Sequence, residues 1–121
     1  MKNIILLSIT IFLASCYRET KFKKFNPEYW KNDYNGCDGN REVQIKYLYD
    51  EKNVLIGVTE FQLREILGKP NKQYIYDRNK KKYIYYTSPG KQCHYVKYDA
   101  KILIADMDAL NRVVQFTIKF E

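Results

Sequence analysis

Histidine occurs once in the 121 residues, as His94, and cysteine three times, with no Cys-x-x-Cys pair. A four-ligand zinc site would need every cysteine together with that histidine, and a nucleophile–base pair has a single imidazole to draw on. Five glycines and three prolines leave no Gly-rich phosphate loop after a strand, and Gly57 and Gly68 read as punctuation. No internal repeat or low-complexity tract is present. Long apolar runs are missing too: the uncharged stretch Ile4 to Ala14, IILLSITIFLA, is far short of the ~20 residues that a bilayer-crossing helix needs. Carboxylates are outnumbered, with 14 Asp and Glu against 21 Lys and Arg, a formal charge of +7. What the chain has in excess is tyrosine, twelve in all.

The apolar stretch follows Lys2 and ends in small residues, the plan of a secretory signal. Its last residues, Leu13, Ala14, Ser15 and Cys16, resemble the lipobox of bacterial lipoproteins. The resemblance implies cleavage before Cys16 and acylation of its thiol and new amino group. At about 0.8 kcal/mol per buried CH₂, one chain holds weakly and two hold durably. The expected organisation is a signal peptide over 1–15, a lipidated Cys16 with a flexible tether over 16–31, and one periplasmic domain over 32–121. The tether, YRETKFKKFNPEYWK, carries Pro27, which discourages continuous helix, and cations that either touch anionic headgroups or simply keep a spacer solvated. Export turns the basic charge and the tyrosines away from nucleic acid. Tyr17, where an Asp would favour inner-membrane retention, and the absence of an acidic cluster after it give the expected address: the outer membrane, lipid-anchored and facing the periplasm.

With Cys16 consumed by lipid, Cys37 and Cys93 remain in an oxidising compartment, where a disulfide is expected. Closing a loop of about 57 residues stabilises a fold by roughly 4 kcal/mol in the chain-entropy account. Two separate thiols or half of a metal site are the alternatives. His94, beside Cys93, reads as a surface or loop residue.

The clearest element is VTEFQLREILGKP, Val58 to Pro70. Thr59 is an N-cap and Gln62 completes a capping box; Val58 and Leu63 form a hydrophobic staple. Gly68 and Pro70 end a helix of about eight residues whose Leu63, Ile66 and Leu67 share a face. Upstream, REVQIKYLYDE alternates like a strand yet also groups Arg41, Ile45, Leu48 and Tyr49 on one helical face, so the pattern alone leaves both open. Downstream, KQYIYD and KYIYYTS flank RNKK as a hairpin, and KILIADM with RVVQFTIKF forms a second pair around DALN. In the last strand Val114, Phe116, Ile118 and Phe120 are expected to line the buried face. The expected fold class is α+β: short helices on a three- to four-stranded antiparallel sheet.

The stretch Leu55 to Pro70, LIGVTEFQLREILGKP, resembles the Gly-x-(Thr/Ser)-x-x-(Glu/Gln) … Leu-Gly-x-Pro signature of small outer-membrane lipoproteins of the SmpA/OmlA (BamE-like) family; the later YIYY and VVQFTI stand where that family carries its aromatic and final strands. The resemblance implies two short helices packed on the sheet, as in the repeats of the β-lactamase inhibitory protein, and so a helix for REVQIKYLYDE. Trp30 to Arg41, WKNDYNGCDGNR, with Cys93, is similar to Bacteroidetes lipoproteins in which a Trp and a Gly-Cys precede the same capped helix.

Catalytic and cofactor-binding residues are not expected: Asp106 and Asp108 border a hairpin turn, where Asp serves local backbone hydrogen bonds. No cofactor, metal, nucleic acid or small-molecule substrate is expected. The candidate binding residues are Tyr74, Tyr76, Tyr83, Tyr85 and Tyr86 on adjacent strands, as an exposed tyrosine platform or as ordinary cross-strand packing. The expected role is a membrane-anchored, non-enzymatic module that docks on another envelope protein in outer-membrane assembly or maintenance. An inhibitor or binding module of a hydrolase is the alternative, and a small hydrolytic enzyme the remote one.

Overall fold

The computed structural model describes residues 20–121; the signal segment and Cys16 lie outside the described residues. Three helices, α1 (Pro27–Asn32), α2 (Asn40–Asp50) and α3 (Glu60–Leu67), precede four strands, β1 (Lys72–Tyr76), β2 (Lys80–Tyr86), β3 (Lys101–Met107) and β4 (Val113–Phe120). The strands pair antiparallel in chain order, β1-β2-β3-β4, and the helices pack on one face, giving the expected α+β class.

Local chemistry explains the helices. In α3 the Thr59 hydroxyl accepts from the Gln62 N–H at 3.2 Å, and the Gln62 side chain accepts from the Thr59 N–H at 3.3 Å. Val58 and Leu63 are both buried, and Gly68 ends the helix at φ +79°, a conformation that favours glycine. The ambiguous segment is helix α2. Its buried residues are Arg41, Gln44 and Leu48, so two of the three inward positions are polar and the apolar periodicity is lost. Asp33 sets its start by accepting from the N–H groups of Asp38 and Arg41, both at 3.0 Å.

The expected tether boundary needs correction. Pro27 starts α1 at its first position, where a missing N–H costs nothing, and Asn26 caps it by accepting from Glu28 at 3.0 Å. Trp30 is fully buried, Phe25 is buried, and Phe22 packs against the same core. The Glu51 carboxylate accepts from the N–H groups of Lys24 at 3.2 Å and Phe25 at 2.9 Å. The domain thus takes in residues from Phe22 onward, because those aromatics contribute apolar area that a free tether would leave in water.

The last strand also departs from expectation. A register shift between Asp106 and Met107 sets Val113, not Val114, opposite Met107. Val113 turns inward, Val114 turns to solvent, Phe116 stays buried, and Phe120 is exposed beneath the Lys101 ammonium.

Cys37 and Cys93 form a disulfide with Cα atoms 5.9 Å apart, joining the turn before α2 to the irregular segment 88–100. Gln92 adds a hydrogen bond to the Asn35 carbonyl at 3.0 Å, and the Tyr95 hydroxyl one to the Cys37 carbonyl at 2.9 Å. Gly90 passes so close to Ala100 that a Cβ would lie 2.3 Å from its backbone nitrogen, which explains the glycine.

Candidate interaction surface

Antiparallel registry assigns the five candidate tyrosines to positions in the hairpin. β1 pairs with β2 as Tyr74↔Lys82 and Tyr76↔Lys80, and β2 pairs with β3 as Tyr83↔Ala105, Tyr85↔Leu103 and Tyr86↔Ile102. Tyr83 and Tyr85 therefore face the helices, while Tyr74, Tyr76 and Tyr86 lie on the outer face.

Tyr83 and Tyr85 are wholly inaccessible to solvent, and Tyr86 is only 9% exposed, so these three are corrected from platform to core. The reason is strand position: β2 is interior, covered by α3 and Trp30 on one face. On the other, Tyr86 joins Ile84, Ala100, Ile102 and Ile104 in a second apolar cluster. The Tyr85 hydroxyl donates to the Gly68 carbonyl at 3.0 Å, and its ring lies 6.1 Å from that of Trp30. Burial pushes its ionisation far above the ordinary phenol range. The Tyr83 hydroxyl accepts from Arg64 Nε at 2.9 Å and donates to Glu60, whose other oxygen accepts from Lys81 at 2.9 Å. Burial alone would raise the Glu60 carboxyl; the hydrogen bonds from Tyr83 and Lys81 outweigh it and hold the group below its ordinary value.

Tyr74 and Tyr76 stand in a different environment, exposed by 54% and 41%, with Ile75 between them on the opposite face at 64%. All five residues of β1 are exposed. Around this strand lies a cluster of cations. Lys72 pairs with Glu121, Lys81 with Glu60 and Lys82 with Asp106 at 3.7 Å; Arg78 and Lys80 carry no ion pair among the described residues. The turn presents Arg78 and Asn79 at φ +61° each, a left-handed pair within the three-residue connection Asp77–Asn79 between the paired Tyr76 and Lys80. Lys72, Tyr74, Lys82 and Lys119 wall a groove of about 280 Å³ over Ile84, Ile102 and Ile104.

No family model, curated protein or solved structure matches the chain.

The charge distribution reinforces what the hairpin shows. Residues 22–67, the helical part of the domain, hold seven Lys and Arg against eight Asp and Glu; residues 68–121 hold eleven against five. The helical part is thus net −1 and the sheet part net +6. Such asymmetry is readable from sequence once the parts are separated, and it marks the sheet as the side that attracts anionic groups.

Two further residues escape sequence reasoning. Arg41 is buried, donating from Nε to the Trp30 carbonyl at 3.0 Å and from Nη1 to Asn71 Oδ1 at 2.9 Å and the Tyr86 carbonyl at 3.2 Å. Desolvation lowers its pKa to about 10, against the favourable field of Asp33, so it remains charged at neutral pH and ties the helices to β2. Asp33 is equally buried. Both are engaged in hydrogen bonds that hold the fold. Asp106 accepts from Gln115 Nε2 at 3.0 Å, and Asp108 accepts from the N–H groups of Leu110 and Arg112 in the β3–β4 turn, the local role expected of it. His94 is exposed. Among the described residues no three His, Cys, Asp or Glu side chains converge as metal ligands, and no helix is long and apolar enough to cross a membrane.

Proposed function

We propose that this chain is a bacterial envelope lipoprotein, anchored by acyl chains on Cys16 to the periplasmic face of the outer membrane, whose folded domain is a non-enzymatic protein-binding module. The observation that carries the reading is the Cys37–Cys93 bond. It occupies both cysteines other than Cys16 and is chemistry of an oxidising compartment, the destination implied by the apolar segment and LASC. The capped helix over Glu60–Leu67 supports the likeness to SmpA/OmlA lipoproteins, and with it a part in outer-membrane assembly or maintenance. The exposed strand β1 supports binding as the activity.

The test is metabolic labelling with an alkynyl fatty acid, followed by membrane fractionation. The native chain is expected to incorporate label and sediment with the outer membrane; Cys16→Ser is expected to do neither. A processed Cys16→Ser chain that stays membrane-bound in high salt, or a native chain without label, overturns the reading.

A further inference from the structure

Backbone of another segment covers part of the β4 edge of the sheet and none of the β1 edge among the described residues. At the β4 edge, the backbone of residues 57–60 closes the start of the strand: Gly57 N–H donates to the Val113 carbonyl at 2.7 Å, Val113 N–H to the Val58 carbonyl at 3.0 Å, and Glu60 N–H to the Asn111 carbonyl at 2.8 Å. At the β1 edge, residues 72–76 make no backbone hydrogen bond beyond their pairing with β2 among the described residues. An edge strand offers unpaired N–H and C=O groups to any extended chain that can reach them, and natural edges are normally blunted by proline, a bulge or inward-pointing charge. Within β1 there is no proline and no register shift, and Lys72 is its only charged residue.

From this edge we infer that β1 is a docking strand for an extended, acidic segment of a partner protein, added to the sheet by backbone pairing. The inference rests on the binding-module reading and names its partner by chemistry. Exposure on both faces selects a strand over a flat surface. Tyr74 and Tyr76 are open on the outer face and Ile75 on the other, so a membrane or a broad protein face lying against either side covers only one set. An added strand brings side chains to both faces at once, with its alternate residues beside Tyr74 and Tyr76 on one side and Ile75 on the other. Charge selects the sequence of that strand. Arg78 and Lys80 lack ion pairs among the described residues, and Lys82 stands one strand inward, 3.7 Å from Asp106. Carboxylates on the incoming segment complement these cations. A second copy of this chain is disfavoured by the same count, since β1–β1 pairing sets one basic hairpin against another.

The test uses the full chain as the Cys16→Ser variant, isotope-labelled and disulfide-intact, with an eight-residue capped peptide alternating Glu and Val as probe. A Lys–Val peptide of the same length is the control. The Glu–Val peptide is expected to shift the amide resonances of Lys72–Tyr76 and to slow their hydrogen exchange, with affinity at least about tenfold above that of the control. The double variant Arg78→Glu/Lys80→Glu, both exposed, is expected to keep the native thermal transition and lose about tenfold in affinity. Equal binding of the two peptides, shifts located away from β1, self-association through β1, or the same hairpin shifts produced by phosphatidylglycerol vesicles but not by the peptide overturn the inference. None of these outcomes touches the fatty-acid labelling, so failure here is separable from failure of the lipoprotein reading.

Discussion

Two strands of one hairpin hold five tyrosines, and their fates are opposite. On β1, Tyr74 and Tyr76 are open to solvent; on β2, Tyr83, Tyr85 and Tyr86 are buried. The residue type is the same and the strands are hydrogen-bonded neighbours, so neither propensity nor alternation accounts for the difference. Order in the sheet does: β2 has β3 on its far side and apolar layers on both faces, while β1 has solvent on its far side and meets α3 through a hydrogen bond from Arg64 to Gln73 at 3.5 Å, with all five of its residues exposed. The tyrosines of β2 specify the fold, and those of β1 are free to serve something outside it.

Truncation of an inner tyrosine is the strongest way to break this contrast. Tyr85→Ala removes a ring packed against Trp30 and Arg41 and deletes the hydroxyl bonded to the Gly68 carbonyl. A cavity of that kind costs about 3–5 kcal/mol, a large fraction of the stability of a domain this size. Urea unfolding is expected to show a loss in this range, or a chain that no longer folds. A loss below about 1 kcal/mol places Tyr85 outside the core and removes the contrast.

A smaller change sharpens the contrast without a cavity. Tyr83→Phe keeps the buried ring and removes only the hydroxyl between Glu60 and Arg64, with an expected cost of about 1–2 kcal/mol at neutral pH. The pH dependence identifies the interaction. Glu60 has a folded pKa below its ordinary value of 4.5, so the stability it contributes is present above about that pH and is lost as pH falls through the lower folded value. The native domain is therefore expected to lose stability below about pH 4.5, and Tyr83→Phe to lose less over the same interval. Parallel acid profiles for the two proteins show that Tyr83 does not hold the Glu60 charge.

How much of this was legible in the sequence depended on whether the signal was local. The cap of α3 was, because Thr59, Gln62, Val58 and Leu63 act within one turn of each other. The strand pairs were, because tyrosine and β-branched residues alternate between polar turns. The helical state of α2 was not readable from periodicity, since Arg41 and Gln44 occupy inward positions and are satisfied by groups far along the chain: Arg41 by Asn71 and Tyr86, and Gln44 by the Asn26 N–H. The face of Val113 depended on a register shift opposite Asp106 and Met107 that leaves Val114 of β4 without a partner in β3, which is a property of the pair and not of either strand. The aromatics at Phe22, Phe25 and Trp30 looked like a tether because the neighbouring lysines are polar, yet they fill the end of the core. For the candidate surface, the sequence indicated a tyrosine-rich hairpin. Separating its outer from its inner tyrosines required knowing which strand lies at the edge.

The smallest expected effect lies on the outer strand and completes the comparison. Tyr74→Ala and Tyr76→Ala remove side chains that are about half exposed, whose neighbours in the sheet are Lys82 and Lys80. Some stability is lost with them, because the Lys82 ammonium lies 5.4 Å from the centroid of the Tyr76 ring and Lys82 is the cross-strand neighbour of Tyr74. That contribution is exposed and screened, so each single substitution is expected to change unfolding free energy by no more than about 0.5 kcal/mol. The double substitution is the stricter measurement, since the two residues lie on the same face two positions apart and any coupling appears as a departure from the sum. Additive, small losses leave Tyr74 and Tyr76 without a part in folding, as the edge position requires. A double loss well above about 1 kcal/mol shows that β1 is held to the domain by its tyrosines, and that the outer strand is as structural as the inner one.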